Sequence, residues 1–352
     1  MEQVDVAVIG GGQSGLAAAH ALRRQGREPV ALEASDRPTG SWPRYYDSLT
    51  LFSPAGYSSL PGMPFGGDPD RHPHRDEVVT CLLRYADRLD ADIRARTRVG
   101  EVRAAVDGTF ALDLEGAGEL SARGVVAASG TFGRPYCPAL PGLEGFAGAV
   151  LHAAEYRTPG PFAGQRTVVA GAGNSAAQIA AEPAAHAQVT LATRHPVHFA
   201  AQRTLGRDLH WWLKRTGADT LPLGRFLRTP PTQPVIDDGR YRAAITSGAP
   251  DRRPMFTGID GAKVTWAGGH SEEVDTILLA TGYRPDLAYL GPLGALDEHG
   301  HPIHREDVSL THPGLAYVGL EWQRGLPSNS LRGVGRDTER IARHLAAHLT
   351  RS

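Results

Sequence analysis

Cys81 and Cys137 are the whole sulfhydryl content of this 352-residue chain, and they form no C-x-x-C pair. A disulfide scaffold, a structural zinc site and a redox-active dithiol therefore all lack their usual sequence basis. An excess of one charge is missing too: 37 Lys and Arg against 38 Asp and Glu leave a formal net charge of -1. That balance argues against a nucleic acid or an acidic membrane as a partner, since both attract a basic footprint. No apolar run reaches bilayer-spanning length, so no integral membrane segment is expected. The opening residues, Met1-Glu2-Gln3-Val4-Asp5, are acidic and run directly into a strand-like segment, the wrong composition for a signal peptide. These absences lead to the expectation of a cytoplasmic protein. His72-Pro73-His74 has no third ligand at a useful spacing, so no metal is expected.

What the chain has in quantity is glycine, 42 residues without a collagen-like period, which places it in turns. The length suits two domains, each with its own core. Val4 to Ile9 reads as a short buried strand, Gly10-Gly11-Gly12-Gln13-Ser14-Gly15 as a tight turn, and Leu16 to Gln25 as a helix closed by Gly26. Pro29 to Glu33 is a second strand, completing one βαβ unit. The unit then repeats: strand Thr167 to Ala170, turn Gly171-Ala172-Gly173-Asn174-Ser175-Ala176, helix Ala177 to Ala185, strand Val189 to Thr193. Further helices are expected over Asp76 to Leu89, Asp208 to Arg215 and Asp337 to Leu349. Strands ending in Ser129-Gly130 and in Thr281-Gly282 are expected as well. Arg37 to Asp76 is a long aperiodic stretch whose aromatics favour an ordered, ligand-covering loop. The irregular 200–255 segment, with Trp211-Trp212 roofing a pocket, is where substrate selection is expected.

The Gly-rich turns have a mechanical use. In G-x-G-x-x-G the first Gly permits the tight turn, the second lets a pyrophosphate approach the backbone, and the third packs helix on strand. Gly10, Gly12 and Gly15 fit, and Glu33, ending the next strand, is placed to accept hydrogen bonds from a ribose diol. The second copy is G-x-G-x-x-A: Gly171, Gly173 and Ala176. Its following strand ends in Thr193-Arg194-His195, where an arginine can pair with the 2′-phosphate of NADP. Two such sites in one chain point to a bound flavin nucleotide reduced by diffusible NADPH.

The two turns, Gly40-Ser41-Trp42, Ala280-Thr281-Gly282-Tyr283-Arg284-Pro285 and Phe146-x-Gly148-x-x-x-His152-x-x-x-Tyr156 together resemble the flavin-containing monooxygenase group. That group includes bacterial flavoproteins of the cation-transport oxidoreductase type, and the resemblance covers essentially the whole chain. Tyr156 stands where the group usually has Phe or Trp. The resemblance implies an α/β fold of two Rossmann-like dinucleotide-binding domains: residues 1–155 the first part of an FAD domain, 156–274 an NADPH domain, 275–352 the second part of the FAD domain. It assigns to FAD Gly10, Gly12, Gln13, Ser14, Gly15, Glu33, Ala34, Ser41, Trp42, Val102 (at the adenine), Ala128, Ser129, Gly130, Thr281 and Gly282. NADPH receives Gly171, Gly173, Asn174, Ser175, Ala176 and Arg194. The closing helix would point its N-terminus at the flavin pyrimidine, and His152 would be a hydrogen-bonded hinge residue.

The activity implied is an NADPH- and O2-dependent monooxygenation. NADPH reduces the flavin, the reduced flavin forms a C4a-(hydro)peroxide, and a small organic substrate is oxygenated. The substrate is an amine or sulfide, oxidised at N or S, or a carbonyl in a Baeyer–Villiger reaction. Where the group often has an asparagine over the flavin, this chain reads Phe52-Ser53-Pro54. Ser53 is the expected hydrogen-bonding catalytic residue, and Arg203 or Arg207 the cation that a Baeyer–Villiger reaction would want beside the peroxide. Two other readings stay open: an NADPH-dependent reductase passing electrons to a non-oxygen acceptor, and a redox-sensing flavoprotein linked to transport. The expected partners are a small-molecule substrate and O2; the oligomeric state is open, a homodimer included.

Overall fold

Parallel pairing divides the chain between two sheets. The computed structural model describes residues 2–227 and 231–351. In the first sheet, strand Glu2–Ile9 lies parallel to Pro29–Leu32 on one side and to Gly118–Ala127 on the other. Asp92–Arg94 extends one edge, and Leu315–Tyr317 leads to the hairpin His304–Arg305/Val308–Ser309 at the other. Side chains alternate across a strand, so Val6 and Val8 enter one core and Ala7 and Ile9 the other. Helices α1 (Gln13–Arg24), α2 (Arg75–Arg88) and α6 (Leu331–Arg351) cover the first face. The hairpin Val99–Ala104/Phe110–Leu114 and the turn around Leu290 cover the second. Coverage on both faces is what a parallel sheet requires. Leu16, Leu22, Ile341 and Leu345 are fully buried between α1 and α6, each side chain worth about 1.5–3 kcal/mol of burial.

The second sheet is five-stranded and wholly parallel: Asp251–Pro254, Gln188–Thr193, Arg166–Ala170, Thr276–Leu279, Ala149–His152. Helix α3 (Asn174–Ala181) follows the second Gly-rich turn. Helices α4 (Leu209–Thr216) and α5 (Arg240–Thr246) follow in the irregular segment. The strands Ala149–His152 and Thr276–Leu279 fall outside the expected limits of 156 and 274, yet both pair in this sheet. Packing explains it: Leu278 joins Val169, Leu191 and Tyr156 in one core, while Ile277 and Leu279 join Val168 and Phe256 in another. The chain crosses between sheets at the antiparallel pair Arg134–Pro135/Tyr283–Arg284.

The closing helix starts at Leu331, ahead of the expected Asp337. Gly333 and Gly335 hide that first turn from a propensity reading, but both are packing contacts. A Cβ on Gly333 would stand 2.0 Å from the Pro327 carbonyl oxygen, and one on Gly335 2.8 Å from Pro61. No helix among the described residues is long and apolar enough to cross a membrane.

Candidate active site

The two Gly-rich turns are built by one device. Gly10, at φ +112°, crosses the end of the neighbouring strand so closely that a Cβ would lie 2.6 Å from the Ala128 carbonyl oxygen. Gly171, at φ +150°, crosses Ala280 in the same way, 2.3 Å from its carbonyl oxygen. The tripeptides Ala128-Ser129-Gly130 and Ala280-Thr281-Gly282 are thus the floors on which the turns rest. A Cβ on Gly15 would stand 1.8 Å from the Gly10 carbonyl oxygen, so α1 packs directly on its own turn; Ala176 fills that place in the second copy and is buried. Helices α1 and α3 begin at Gly12 and Gly173 with no side-chain cap and no acid in the first turn. Their first N–H groups and positive dipole ends remain for a phosphate.

Around the first turn, the Glu33 carboxylate accepts hydrogen bonds from the Gly11 N–H and the Ser35 N–H, each at 2.7 Å. These fix the carboxylate at the cavity wall and leave it lone pairs for ribose hydroxyls. Gly40, at φ +56°, presses against Gly12, where its Cβ would be 2.9 Å from the Gly12 Cα. Trp42 Nε1 donates to Gln13 Oε1 at 3.0 Å, and Gln13 Nε2 donates to the Asn329 carbonyl at 2.8 Å. The Gly40-Ser41-Trp42 loop, the first turn and the segment leading into α6 are thereby tied together. Gly319 (φ +86°) completes the tie, since any Cβ there would meet the Ser14 Oγ at 2.2 Å. Backbone cradles that admit no Cβ, facing capless helix N-termini, fit two dinucleotides.

One cavity of about 1530 Å³ runs from the first turn to the second, larger than the roughly 300–1,000 Å³ usual for a single small-molecule site. It brings together Gly10, Gly12, Gln13, Ser14, Glu33, Ala34, Ser41, Trp42 and Ala128 through Gly130 with Gly171, Gly173 through Ala176, Arg194, Thr281 and Gly282. Ser53 lies on the same wall. Gly15 stands just behind, as helix-packing residue. Val102 is fully buried in the core behind the wall formed by Arg98, Val99 and Gly100. Arg203 is not brought in: it is exposed on the hairpin with Arg207, where its guanidinium donates to the Gly206 carbonyl at 3.3 Å. Arg194 and His195 are exposed at the cavity rim, and Arg194 has no ion pair among the described residues.

His152 is a hinge pin. Its Nε2 lies 3.0 Å from the Gly282 carbonyl and its Nδ1 accepts from the Ala154 N–H at 3.0 Å; burial holds its pKa below the ordinary histidine value. In the same motif, a Cβ on Gly148 would lie 2.4 Å from the Asp275 carbonyl oxygen. Tyr156 is buried, and its hydroxyl donates to Glu182 at 2.7 Å, which Phe could not do. His74 caps α2 and donates from its backbone to Glu77 at 2.8 Å.

Between the turns, the cavity wall carries groups with no sequence motif. The Ser58 hydroxyl donates to the Pro54 carbonyl at 2.9 Å and lies 2.9 Å from Ser53 Oγ. With the Ser58 proton so placed, Ser53 donates inward to Ser58 and offers the cavity an acceptor. Asp208 caps α4 and accepts from the His210 backbone and Nδ1 at 2.8 Å each and from Gln202 Nε2 at 2.6 Å. Burial pushes the Asp208 carboxyl up, but the bonds from His210 and Gln202 outweigh it and hold the group below the usual range. Gln202 Nε2 also reaches the Phe52 carbonyl at 3.0 Å, joining α4 to the Phe52-Ser53 wall. Glu321 is half-buried on the cavity, and burial, opposed by a hydrogen bond from Gln233, raises its carboxyl. Cys81 is buried in the core under α2 and Cys137 is exposed, and neither lines the cavity.

Residues 7–216 match the model of the pyridine nucleotide-disulphide oxidoreductase family. An uncharacterised CzcO-like oxidoreductase of Geobacillus kaustophilus is 32% identical over 98% of this chain and 99% of its own. An indole-3-pyruvate monooxygenase of Oryza sativa is 32% identical over 92% of this chain and 88% of its own. Among solved structures, a flavin-containing monooxygenase from Stenotrophomonas maltophilia superposes with a TM-score of 0.86 at 33% identity, covering 99% of each chain.

Proposed function

This chain belongs to the pyridine nucleotide-disulphide oxidoreductase family, within its flavin-containing monooxygenase group, and from that premise we propose that it uses NADPH and O2 to place one oxygen atom on a small organic substrate. It is a flavin-dependent oxidoreductase with FAD and NADPH as cofactors. When bound, FAD supplies hydride acceptance and the activation of oxygen.

The chain's own residues supply placement. The first turn and the N-terminus of α1 would hold the FAD pyrophosphate, with Glu33 on the ribose. The second turn and α3 would hold the NADPH pyrophosphate, with Arg194 on the 2′-phosphate. The N-terminus of α6 opens on the cavity at Leu331 and Arg332, where its positive end favours negative charge on a flavin ring. Phe52, Leu209 and Leu213 give the middle of the cavity apolar walls that exclude water. Ser53 would accept a hydrogen bond there from substrate or cofactor.

The observation carrying the reading is that both turns open into one cavity that neither cysteine lines. Electrons delivered there meet no dithiol of this chain, so a small molecule is the acceptor. The test is anaerobic reduction with NADPH, followed by 18O2 in the presence of candidate amines, sulfides and ketones. One 18O atom in the product, with NADPH consumed in proportion, is the expected result. Stoichiometric hydrogen peroxide without any oxygenated product would overturn the proposal in favour of a reductase. No reduction by NADPH would overturn it in favour of a sensor.

A further inference from the structure

The outer wall of the cavity is a seam between two stretches far apart in sequence. Residues 219–227 and 231–233 leave the second sheet's domain and lie along residues 321–332, which lead into α6. Arg332 donates to both carboxylate oxygens of Asp219, at 2.9 and 3.1 Å. The Gly224 N–H donates to the Arg324 carbonyl at 2.9 Å, and a Cβ on Gly224 would stand 1.9 Å from the Trp322 carbonyl oxygen. At the end of this seam Gln233 Nε2 donates to Glu321 Oε1 at 2.9 Å. Trp322 holds φ +52° beside it, a conformation an aromatic residue keeps only where its surroundings enforce it.

Of the described charged side chains by which this seam lines the cavity, Arg332 is matched by Asp219, and Glu321 is left without an ionic partner. Glu321 has a single partner, a neutral amide, and among the described residues no cation is paired with it. Among the described residues its Oε2 has no hydrogen bond. Apolar and aromatic side chains, among them Phe52, Leu213, Trp322 and Leu326, line the same cavity. A carboxylate set among such walls attracts an organic cation and repels a carboxylate, and low local polarity strengthens both effects.

We propose that Glu321, oriented by Gln233, fixes the charge of the substrate, admitting lipophilic ammonium compounds and turning away carboxylic acids. The proposal rests on the monooxygenase reading for the word substrate. It sets this chain apart from the Oryza sativa relative, whose named substrate, an α-keto acid, carries the charge that Glu321 repels.

The test measures binding to the oxidised holoenzyme, without NADPH, by perturbation of the flavin absorbance. Three probes of similar shape are used: N,N-dimethylbenzylamine as cation, benzyl methyl sulfide as neutral compound and phenylpyruvate as anion. The expected order is amine tightest and phenylpyruvate weakest, with amine affinity, but not sulfide affinity, falling as salt rises. In Glu321→Gln the amine Kd rises about tenfold, the worth of one charge-assisted hydrogen bond. The sulfide Kd stays put and phenylpyruvate tightens. Glu321→Asp keeps the wild-type order, and retained FAD content shows that both variants fold. Unchanged amine and phenylpyruvate Kd values in Glu321→Gln, or wild-type preference for phenylpyruvate, overturn the proposal. If either variant loses its FAD, the salt dependence in the wild-type protein decides alone: equal slopes for amine and sulfide overturn it. Because no turnover enters the measurement, failure of the monooxygenase reading shows separately, as absence of oxygenated product.

Discussion

Replacing Arg194 by alanine tests how the second site tells NADPH from NADH. Arg194 directly follows the strand Gln188–Thr193 at the cavity rim, exposed and without an ion pair among the described residues, so its guanidinium has no competing duty. A charge-assisted hydrogen bond is worth about 1.5–3 kcal/mol, but salt and solvent screen an exposed pair. A loss of about 1–1.5 kcal/mol is therefore expected, a rise of about five- to tenfold in the NADPH Kd. NADH lacks the 2′-phosphate, so its Kd should move by less than about twofold. The assay is the anaerobic rate of flavin reduction against nucleotide concentration, whose half-saturation reports binding ahead of oxygen chemistry. Equal losses for the two nucleotides would refute the assigned phosphate contact. A loss for neither would place the recognition on His195, which stands beside it on the rim.

Gly171→Ala puts a Cβ 2.3 Å from the Ala280 carbonyl oxygen; the folded protein should retain FAD and accept electrons from dithionite, but no longer from NADPH. Normal reduction by NADPH would show that the second turn does not hold that nucleotide. Ser53→Asn would offer the cavity an amide donor where Ser53 now presents an acceptor, and should lower the hydrogen peroxide released per NADPH consumed; an unchanged or higher ratio counts against a role for this position in coupling. Asp307 is raised to about 7, chiefly by burial and then by Asp337, and among the described residues its Oδ2 has no hydrogen-bond partner. Against an unfolded value of about 3.9, the folded chain keeps a proton that the unfolded chain has lost. That contribution to stability is full below about pH 4 and is lost as pH rises through about 7, up to about 4 kcal/mol in all. Asp307→Asn, which tolerates the φ of +78°, should flatten the fall in unfolding temperature between about pH 5 and 8. A slope equal to the wild type would show that Asp307 does not titrate in this range.

The repeated unit was legible in the sequence because its glycines answer to backbone geometry that no other residue satisfies. Gly10, Gly15 and Gly171 each face a carbonyl oxygen closer than any Cβ could approach, and so the motif survives as letters. The first turn of α6 was hidden because Gly333 and Gly335 serve packing against Pro327 and Pro61 rather than helix propensity. The pairing of Ala149–His152 and Thr276–Leu279 in the second sheet is not legible in the sequence, because a short apolar run does not state its neighbour; only the shared cores do. Arg203 was a reasonable cation to expect, but a two-residue hairpin turns it outward. Gln202, Asp208, His210, Gln233 and Glu321 carried no spacing that could have announced them. They meet only through the fold.

That division follows from how the molecule is made. The nucleotide cradles are doubled, each a glycine laid across the carbonyl end of a neighbouring strand, so whatever they do they do twice. The wall between them is not doubled: 219–227 with 231–233 comes from the second sheet's domain and 321–332 from the closing segment, and the two are joined by Arg332–Asp219 and Gln233–Glu321. Changes in the cradles alter which cofactor is held and are confined by backbone clashes. Changes in the seam, outside the backbone contact of Gly224 with Trp322 and Arg324, meet side-chain contacts and can alter charge and shape without disturbing either sheet. Selectivity for the third reactant should therefore reside in the seam, and exchange of these two stretches together, rather than either alone, should transfer it between related chains. Retention of the recipient's own preference after the paired exchange would show that Phe52, Ser53 and the α4 wall decide it instead.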